Sequence, residues 1–157
     1  MTDEHIKELF CGSVFCSSDA ASDLVERGYG HLIGVDVKEH REEIINGEVF
    51  DEEFTLTANK QIGLKELIPT SEKTEKLSYC YKKTPTGFMR LFPAVTLFER
   101  EGGKVSGVFA GVPKAPYHYT TAFSFLNETR KLQLIDILEE LGALPVYYPG
   151  DNEILLR

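Results

Sequence analysis

The stretch Gly12-Ser13-Val14-Phe15-Cys16-Ser17-Ser18-Asp19, continuing through Leu24 and Arg27-Gly28 to His31-Leu32-Ile33-Gly34-Val35-Asp36-Val37, decides the fold class. Residues 13–16 form a short apolar run that reads as a strand. Ser17 or Ser18 then offers a hydroxyl to the unpaired N–H groups of a helix over 19–27, and Gly28, which tolerates a positive φ, ends that helix. Residues 31–37 read as a second strand. Strand, helix and strand joined by connections this short predict a right-handed βαβ crossover between two parallel strands.

Working outward, residues 3–10 predict a short helix with Thr2 as its cap and Ile6, Leu9 and Phe10 on one face. Beyond Val37 a charged run over 38–43 leads through Asn46-Gly47, a turn signal, into a strand over 48–57. Phe50, Phe54 and Leu56 share one face of that strand, and strict alternation would aim Glu52 the same way. Either a bulge near Asp51-Glu52-Glu53 resets the register or one carboxylate is buried. Residues 58–75 are polar, apart from a patch around Leu64, Leu67 and Ile68, and read as a loop with a helical turn.

Leu77, Tyr79 and Tyr81 alternate as on a strand, and Thr84-Pro85-Thr86-Gly87 turns the chain into a strand over 88–99 that Pro93 must interrupt or place at an edge. Arg100-Glu101-Gly102-Gly103 reads as a hairpin turn into a strand over 105–110. The strongest helical pattern covers 125–141, where Leu134, Ile135, Leu138 and Leu141 form an apolar stripe and Gly142 is the stop. Residues 144–148 and 153–156 read as strands joined by a turn over 149–152. The expected architecture is one α+β domain over 1–157. It has a mixed sheet with one βαβ crossover unit and antiparallel hairpins, covered by two main helices.

Length and composition bound the function classes. A chain of 157 residues with 42% hydrophobic and 27% charged residues is large enough to bury its own core. The formal net charge of -8 repels a phosphate backbone, so nucleic acid is not an expected partner. The most basic stretch, from Lys73 through Lys82 and Lys83, is broken by Glu72 and Glu75 and reads as a solvated face. No apolar run approaches the roughly 20 residues that cross a bilayer, and Met1-Thr2-Asp3-Glu4 lacks the basic start of a secretory signal. The expectation is a cytoplasmic protein with no membrane partner. Cysteines at 11, 16 and 80 match neither a disulfide framework nor paired zinc knuckles and read as reduced thiols, Cys80 within a strand.

Candidate catalytic residues are few. Cys16 closes a strand just before a helix N-terminus, where the helix dipole favours a thiolate. Against that, no glycine flanks it as a nucleophile elbow requires, and Asp19 opposes a negative sulfur. His31 and His118 adjoin predicted core elements and would serve as the base if the fold brought either to Cys16. Gly28-Tyr29-Gly30 follows a helix instead of opening one, so it reads as a turn and not as a phosphate cradle. The acidic sets at 51–53 and 151–153 lack the ordering of a calcium loop. Neither a metal site nor a cofactor is expected. Tyr117, His118 and Tyr119 precede the long helix, and Tyr147 and Tyr148 follow it. Tyrosines with exposed hydroxyls and apolar rings suit ligand binding, including stacking on sugar rings.

The run Gly12 to Ala21, followed by Leu24, Glu26-Arg27-Gly28-Tyr29-Gly30 and Ile33-Gly34-Val35, resembles a segment of bacterial β-galactosidase-type glycoside hydrolases. There it lies C-terminal to the catalytic barrel, near an amidotransferase-like domain. Phe92-Pro93-Ala94-Val95-Thr96 with Gly102-Gly103-Lys104-Val105 is similar too. So is Leu126-Asn127-Glu128-Thr129-Arg130 with Leu144-Pro145-Val146-Tyr147-Tyr148-Pro149-Gly150-Asp151. A chain of this length cannot hold a catalytic barrel of about 250 residues, so the carboxylate pair of a glycosidase is not implied. The resemblance implies a noncatalytic accessory domain, excised or free-standing, that serves packing, oligomerisation or ligand contact. Its expected partners are a neighbouring catalytic domain, a second copy, or carbohydrate. The rival expectations are a small thiol-dependent hydrolase or amidotransferase using Cys16, and a stand-alone protein-interaction module.

Overall fold

The computed structural model describes residues 1–39, 44–50, 53–62, 65–110, 128–142, 145–147 and 154–156. Along the chain these form α1 (Asp3–Leu9), β1 (Val14–Ser17), α2 (Ser18–Glu26), a 3₁₀ turn (Gly30–Leu32), β2 (Val35–Glu39), β3 (Ile44–Phe50), β4 (Glu53–Ile62) and β5 (Lys65–Pro69). There follow β6 (Thr74–Thr84), β7 (Gly87–Glu99), a second 3₁₀ turn (Glu101–Gly103), β8 (Val105–Phe109), α3 (Glu128–Glu140), β9 (Pro145–Tyr147) and β10 (Ile154–Leu156). The class is α+β with a mixed sheet, as the sequence predicts. Six strands lie in the order β1-β8-β7-β6-β3-β4, while β2 pairs with β5 and β9 with β10 in separate ribbons. The β1–β8 pairing is parallel, and the pairings of β8 with β7, β7 with β6, β6 with β3 and β3 with β4 are antiparallel.

The parallel pair exists, but its members differ from those expected: β1 joins β8, not β2. Phe15 stands opposite Gly107, where a Cβ would come within 2.3 Å of the Phe15 ring. The glycine leaves a slot that the ring fills, and Phe15 then stacks on Phe109 with centroids 5.4 Å apart. An aromatic ring laid over a strand glycine restores the packing that glycine lacks. Ser13 Oγ reinforces the junction by accepting the Val105 N–H at 3.0 Å. The segment after α2 takes another course. Residues 30–32 form a 3₁₀ turn instead of the predicted strand, Gly34 adopts φ +69°, and β2 begins only at Val35. Thus β2 leaves the plane of the main sheet and pairs antiparallel with β5.

The helix ends obey the predicted chemistry. Thr2 Oγ1 accepts the His5 N–H at the start of α1, and Ser17 Oγ accepts the Ala20 N–H at the start of α2. At the end of α2, Gly28 has φ +86°, its N–H bonds to Val25 O, and the Tyr29 N–H reaches Leu24 O at 2.8 Å. This pair of bonds satisfies carbonyls that the last helical turn leaves free. Arg100, just after β7, holds the other end of α1: its guanidinium donates to Phe10 O at 2.7 Å and to Gly12 O, and lies over the Phe10 ring.

Three other expectations change. Asn46-Gly47 is not a turn but part of β3, at a register shift between Ile45 and Gly47. Asn46 Oδ1 accepts the Lys83 N–H there, so the side chain meets a backbone donor from the neighbouring strand. The predicted strand over 48–57 is two strands, β3 and β4, with Phe50 opposite Glu53, and residues 51–52 lie outside the described residues. The predicted loop over 58–75 holds the end of β4 and all of β5. Leu67 is buried in β5 between the half-buried Glu66 and the exposed Ile68, a single inward position set among charges that mask it. Pro93 does lie within β7, opposite Tyr79 and flanked by register shifts, as its missing N–H demands.

The predicted stop at Gly142 holds, with φ +80°, and residues 125–127 lie outside the described residues. The buried side chains of α3 are Ile137 and Arg130, with Leu134 and Leu138 only half-buried. Ile137 joins a core shared with Ile6 and Phe10 from the N-terminal segment, Ala21 and Leu24 of α2, and Val95 and Val108 of the sheet. Each large aliphatic side chain fully buried in this way contributes about 1.5–3 kcal/mol. Among the described residues no helix is long and apolar enough to cross a membrane.

Candidate functional site

Cys16 occupies the third position of β1, opposite Val108, immediately before the Ser17 cap of α2. Its sulfur packs against the core. Burial pushes the thiol up to about 11, so at neutral pH the sulfur keeps its proton. Desolvation of a thiolate outweighs the favourable helix end here. Asp19, in the first turn of α2, is held by Lys65 of β5 at 2.8 Å.

His31 stands exposed on the 3₁₀ turn and lines an open groove of about 500 Å³, which Cys16 does not line. Val25 of α2, Gly30, His31, Gly34, Val35 and Asp36 form one side of this groove. Thr70, Ser71 and Phe98 form the other. The two walls are tied through Gly34: its carbonyl accepts the Thr70 N–H at 3.0 Å and the Thr74 hydroxyl at 2.7 Å. A Cβ at Gly34 would lie 2.5 Å from Phe98 Cγ and 2.7 Å from Thr74 Oγ1, so only glycine permits this closure.

His118, Tyr117, Tyr119 and Tyr148 lie outside the described residues, and Tyr147 is placed only as the end of β9, opposite Ile154. The tyrosine surface expected from the sequence therefore cannot be built from described side chains.

A polar cluster that sequence reasoning missed lies beneath α3. Glu48 of β3 is 1% exposed and Arg130 of α3 is 0% exposed, and the two form an ion pair. Ser78 Oγ donates to the second Glu48 oxygen at 2.5 Å, and Arg130 also donates to Gln133 Oε1 at 2.5 Å. The guanidinium sits 4.6 Å from the centre of the Phe50 ring. Burial pushes the Glu48 carboxyl up to about 7 against the pull of Arg130 and Ser78, and lowers Arg130 for the same reason. Cys80, fully buried beside them, has its thiol pushed well up by burial and by the Glu48 charge. The one signal available was parity: Glu48 alternates with Phe50 on β3, as strict alternation would place Glu52.

Comparison with protein-family models, with curated proteins and with solved structures finds no match to this chain. The chemistry of each site must speak for itself. Both oxygens of Glu48 are engaged inside the protein, so this cluster fastens helix to sheet. The groove is different: it is open, preformed, and carries polar groups directed at solvent from separate elements. Among the described residues no three His, Cys, Asp or Glu side chains converge as metal ligands.

Proposed function

We propose that this chain is a noncatalytic accessory domain of a carbohydrate-active, glycoside hydrolase-like protein, serving packing, oligomerisation or ligand contact. The observation that carries this reading is where the residues behind the resemblance fall. Gly28 closes α2 in a left-handed conformation, and Gly34 lies against Phe98 and joins two walls. Pro93 marks a register shift in β7, Gly102 and Gly103 turn β7 into β8, and Arg130 anchors α3 to the sheet. These are framework duties, as expected of a segment retained for its shape. The neutral Cys16 thiol weighs against the thiol-dependent enzyme. A cytoplasmic location belongs to the same reading, since Cys11, Cys16 and Cys80 are free thiols of the kind a reducing compartment maintains.

The test is an NMR titration of the isotope-labelled chain with neutral sugars and, separately, with a β-galactosidase-type catalytic barrel, joined to thiol labelling at neutral pH. Shifts with either titrant, together with slow labelling of Cys16, support the proposal. Labelling of Cys16 faster than that of the exposed Cys11 overturns it in favour of the thiol enzyme. A strictly monomeric chain that shifts with neither titrant overturns it as well.

A further inference from the structure

We propose that the groove between the Gly30–Leu32 turn and residues 70–71 binds a neutral polyhydroxylated ring, a single sugar unit or the end unit of a longer saccharide. The proposal deepens the ligand-contact part of the accessory reading and rests on it. Three features of the groove select this class. Its volume, about 500 Å³, falls in the range of small-ligand clefts and leaves room for one ring with its substituents. Val25 on one wall and Phe98 on the other, both half-buried, give apolar surface against which the C–H face of a ring can lie. The Asp36 carboxylate, the His31 imidazole and the Thr70 and Ser71 hydroxyls form a mixed set of acceptors and donors, and each hydroxyl of a sugar needs both.

The same lining argues against charged ligands. Among the described residues neither Lys nor Arg lines the groove, so a phosphate or carboxylate would meet Asp36 with no cation among them to offset it. A single carboxylate, one of whose oxygens already accepts the Val37 N–H at 2.8 Å, is a weak trap for an ammonium group. Asp36 is exposed, and a carboxylate oxygen there would accept a sugar hydroxyl. The site is also built before any ligand arrives. Gly34 O holds Thr70 and Thr74, the Thr74 N–H bonds to Ser71 O at 3.1 Å, and Ser71 Oγ accepts the Lys73 N–H at 3.1 Å. Little ordering entropy is then lost on binding, which is what lets a small, open site hold a ligand at all.

The experiment is an amide NMR titration with methyl galactoside and glucose, set beside glucosamine as a cationic arm and inorganic phosphate as an anionic one. The expected result is saturable shifts at Gly30, His31, Asp36 and Ser71 with a neutral sugar, on a millimolar scale, and weaker shifts with the charged probes. Two variants locate the site. Asp36→Asn removes the charged acceptor and should weaken binding about tenfold. Gly30→Ala puts a methyl group into the groove, where its Cβ meets Val25 Cγ2 at an ordinary 3.4 Å, so the fold tolerates it while the ring is displaced. Unchanged spectra elsewhere certify that both variants are folded. Stronger shifts with phosphate or glucosamine, no shift with any neutral sugar, or affinity unchanged in both variants overturns the proposal. Shifts by neutral sugars confined to other surfaces reject the groove but leave the accessory reading standing, whereas rapid Cys16 labelling rejects that reading whatever the groove does.

Discussion

Replacing Glu48 by glutamine should change how stability depends on pH, and the structure sets both the sign and the size. Burial pushes the Glu48 carboxyl from its ordinary value of 4.5 up to about 7, even with Arg130 and Ser78 beside it. Between those values the native state keeps a proton that the unfolded chain releases, so raising the pH favours unfolding. The stability contributed by this group is complete below 4.5 and is lost progressively as the pH climbs to about 7. At about 1.4 kcal/mol for each pH unit, the interval amounts to about 3 kcal/mol. Glutamine keeps the shape and a carbonyl acceptor for Arg130 but cannot titrate, so Glu48→Gln deletes this slope. Urea unfolding of both proteins from mildly acid to mildly alkaline pH measures it. The difference between the two curves cancels every other titrating group, and it should move by about 3 kcal/mol in favour of the variant as the pH rises. A difference that stays flat, or that moves toward the wild type with rising pH, refutes the reasoning. It would mean that Arg130 holds Glu48 ionised throughout.

Thiol labelling of the folded chain near neutral pH should modify the exposed Cys11 quickly, Cys16 slowly, and Cys80 only as fast as the protein opens, as peptide mapping over time would show. Arg100→Ala removes the bonds to Phe10 O and Gly12 O and should cost about 1–3 kcal/mol, with the amides of α1 losing hydrogen-exchange protection before those of the sheet. Equal loss across the molecule would show that Arg100 does not act through α1. Gly107→Ala drives a methyl group to 2.3 Å from Phe15 and should cost roughly 1–3 kcal/mol; adding Phe15→Leu should recover part of that loss by thermal melting.

Local chemistry was legible in this sequence wherever one residue decides one conformation. Thr2 and Ser17 cap helices because their hydroxyls suit unpaired N–H groups, and Gly28 and Gly142 end helices because they accept a positive φ. Strand partnership was not legible, because alternation says which face of a strand is buried and nothing about its neighbour. The segments 13–16 and 31–37 looked like the two strands of one crossover, since short connections usually join such neighbours. The partner of β1 is instead fixed about ninety residues away by Gly107, whose missing side chain is the counterpart of the Phe15 ring. A glycine inside an apolar strand was visible from the start. What it made room for was not.

The sites divide along the same line. His31 drew notice by itself, but the groove it lines needs Asp36 from β2, Thr70 and Ser71 from the turn after β5, and Phe98 from β7, gathered by the carbonyl of Gly34. None of those residues carries a motif, and their meeting depends on β2 leaving the main sheet, the very step that the crossover reading excluded. Arg130 was harder still. An arginine is rarely buried without a partner, so on a helix it is naturally assigned to the solvent face. The expected stripe of Leu134, Ile135, Leu138 and Leu141 likewise left out Ile137, the apolar side chain that lies deepest in α3. Its partner Glu48 sits 82 residues earlier in the chain. Once the pair is seen, two puzzles resolve together: the alternation of β3 does send a carboxylate inward, and α3 binds the sheet with a charge among its contacts. The expectation weighed a bulge near Asp51-Glu52-Glu53 against a buried carboxylate there; residues 51 and 52 lie outside the described ones, and the carboxylate that the structure does bury is Glu48, two residues before Phe50.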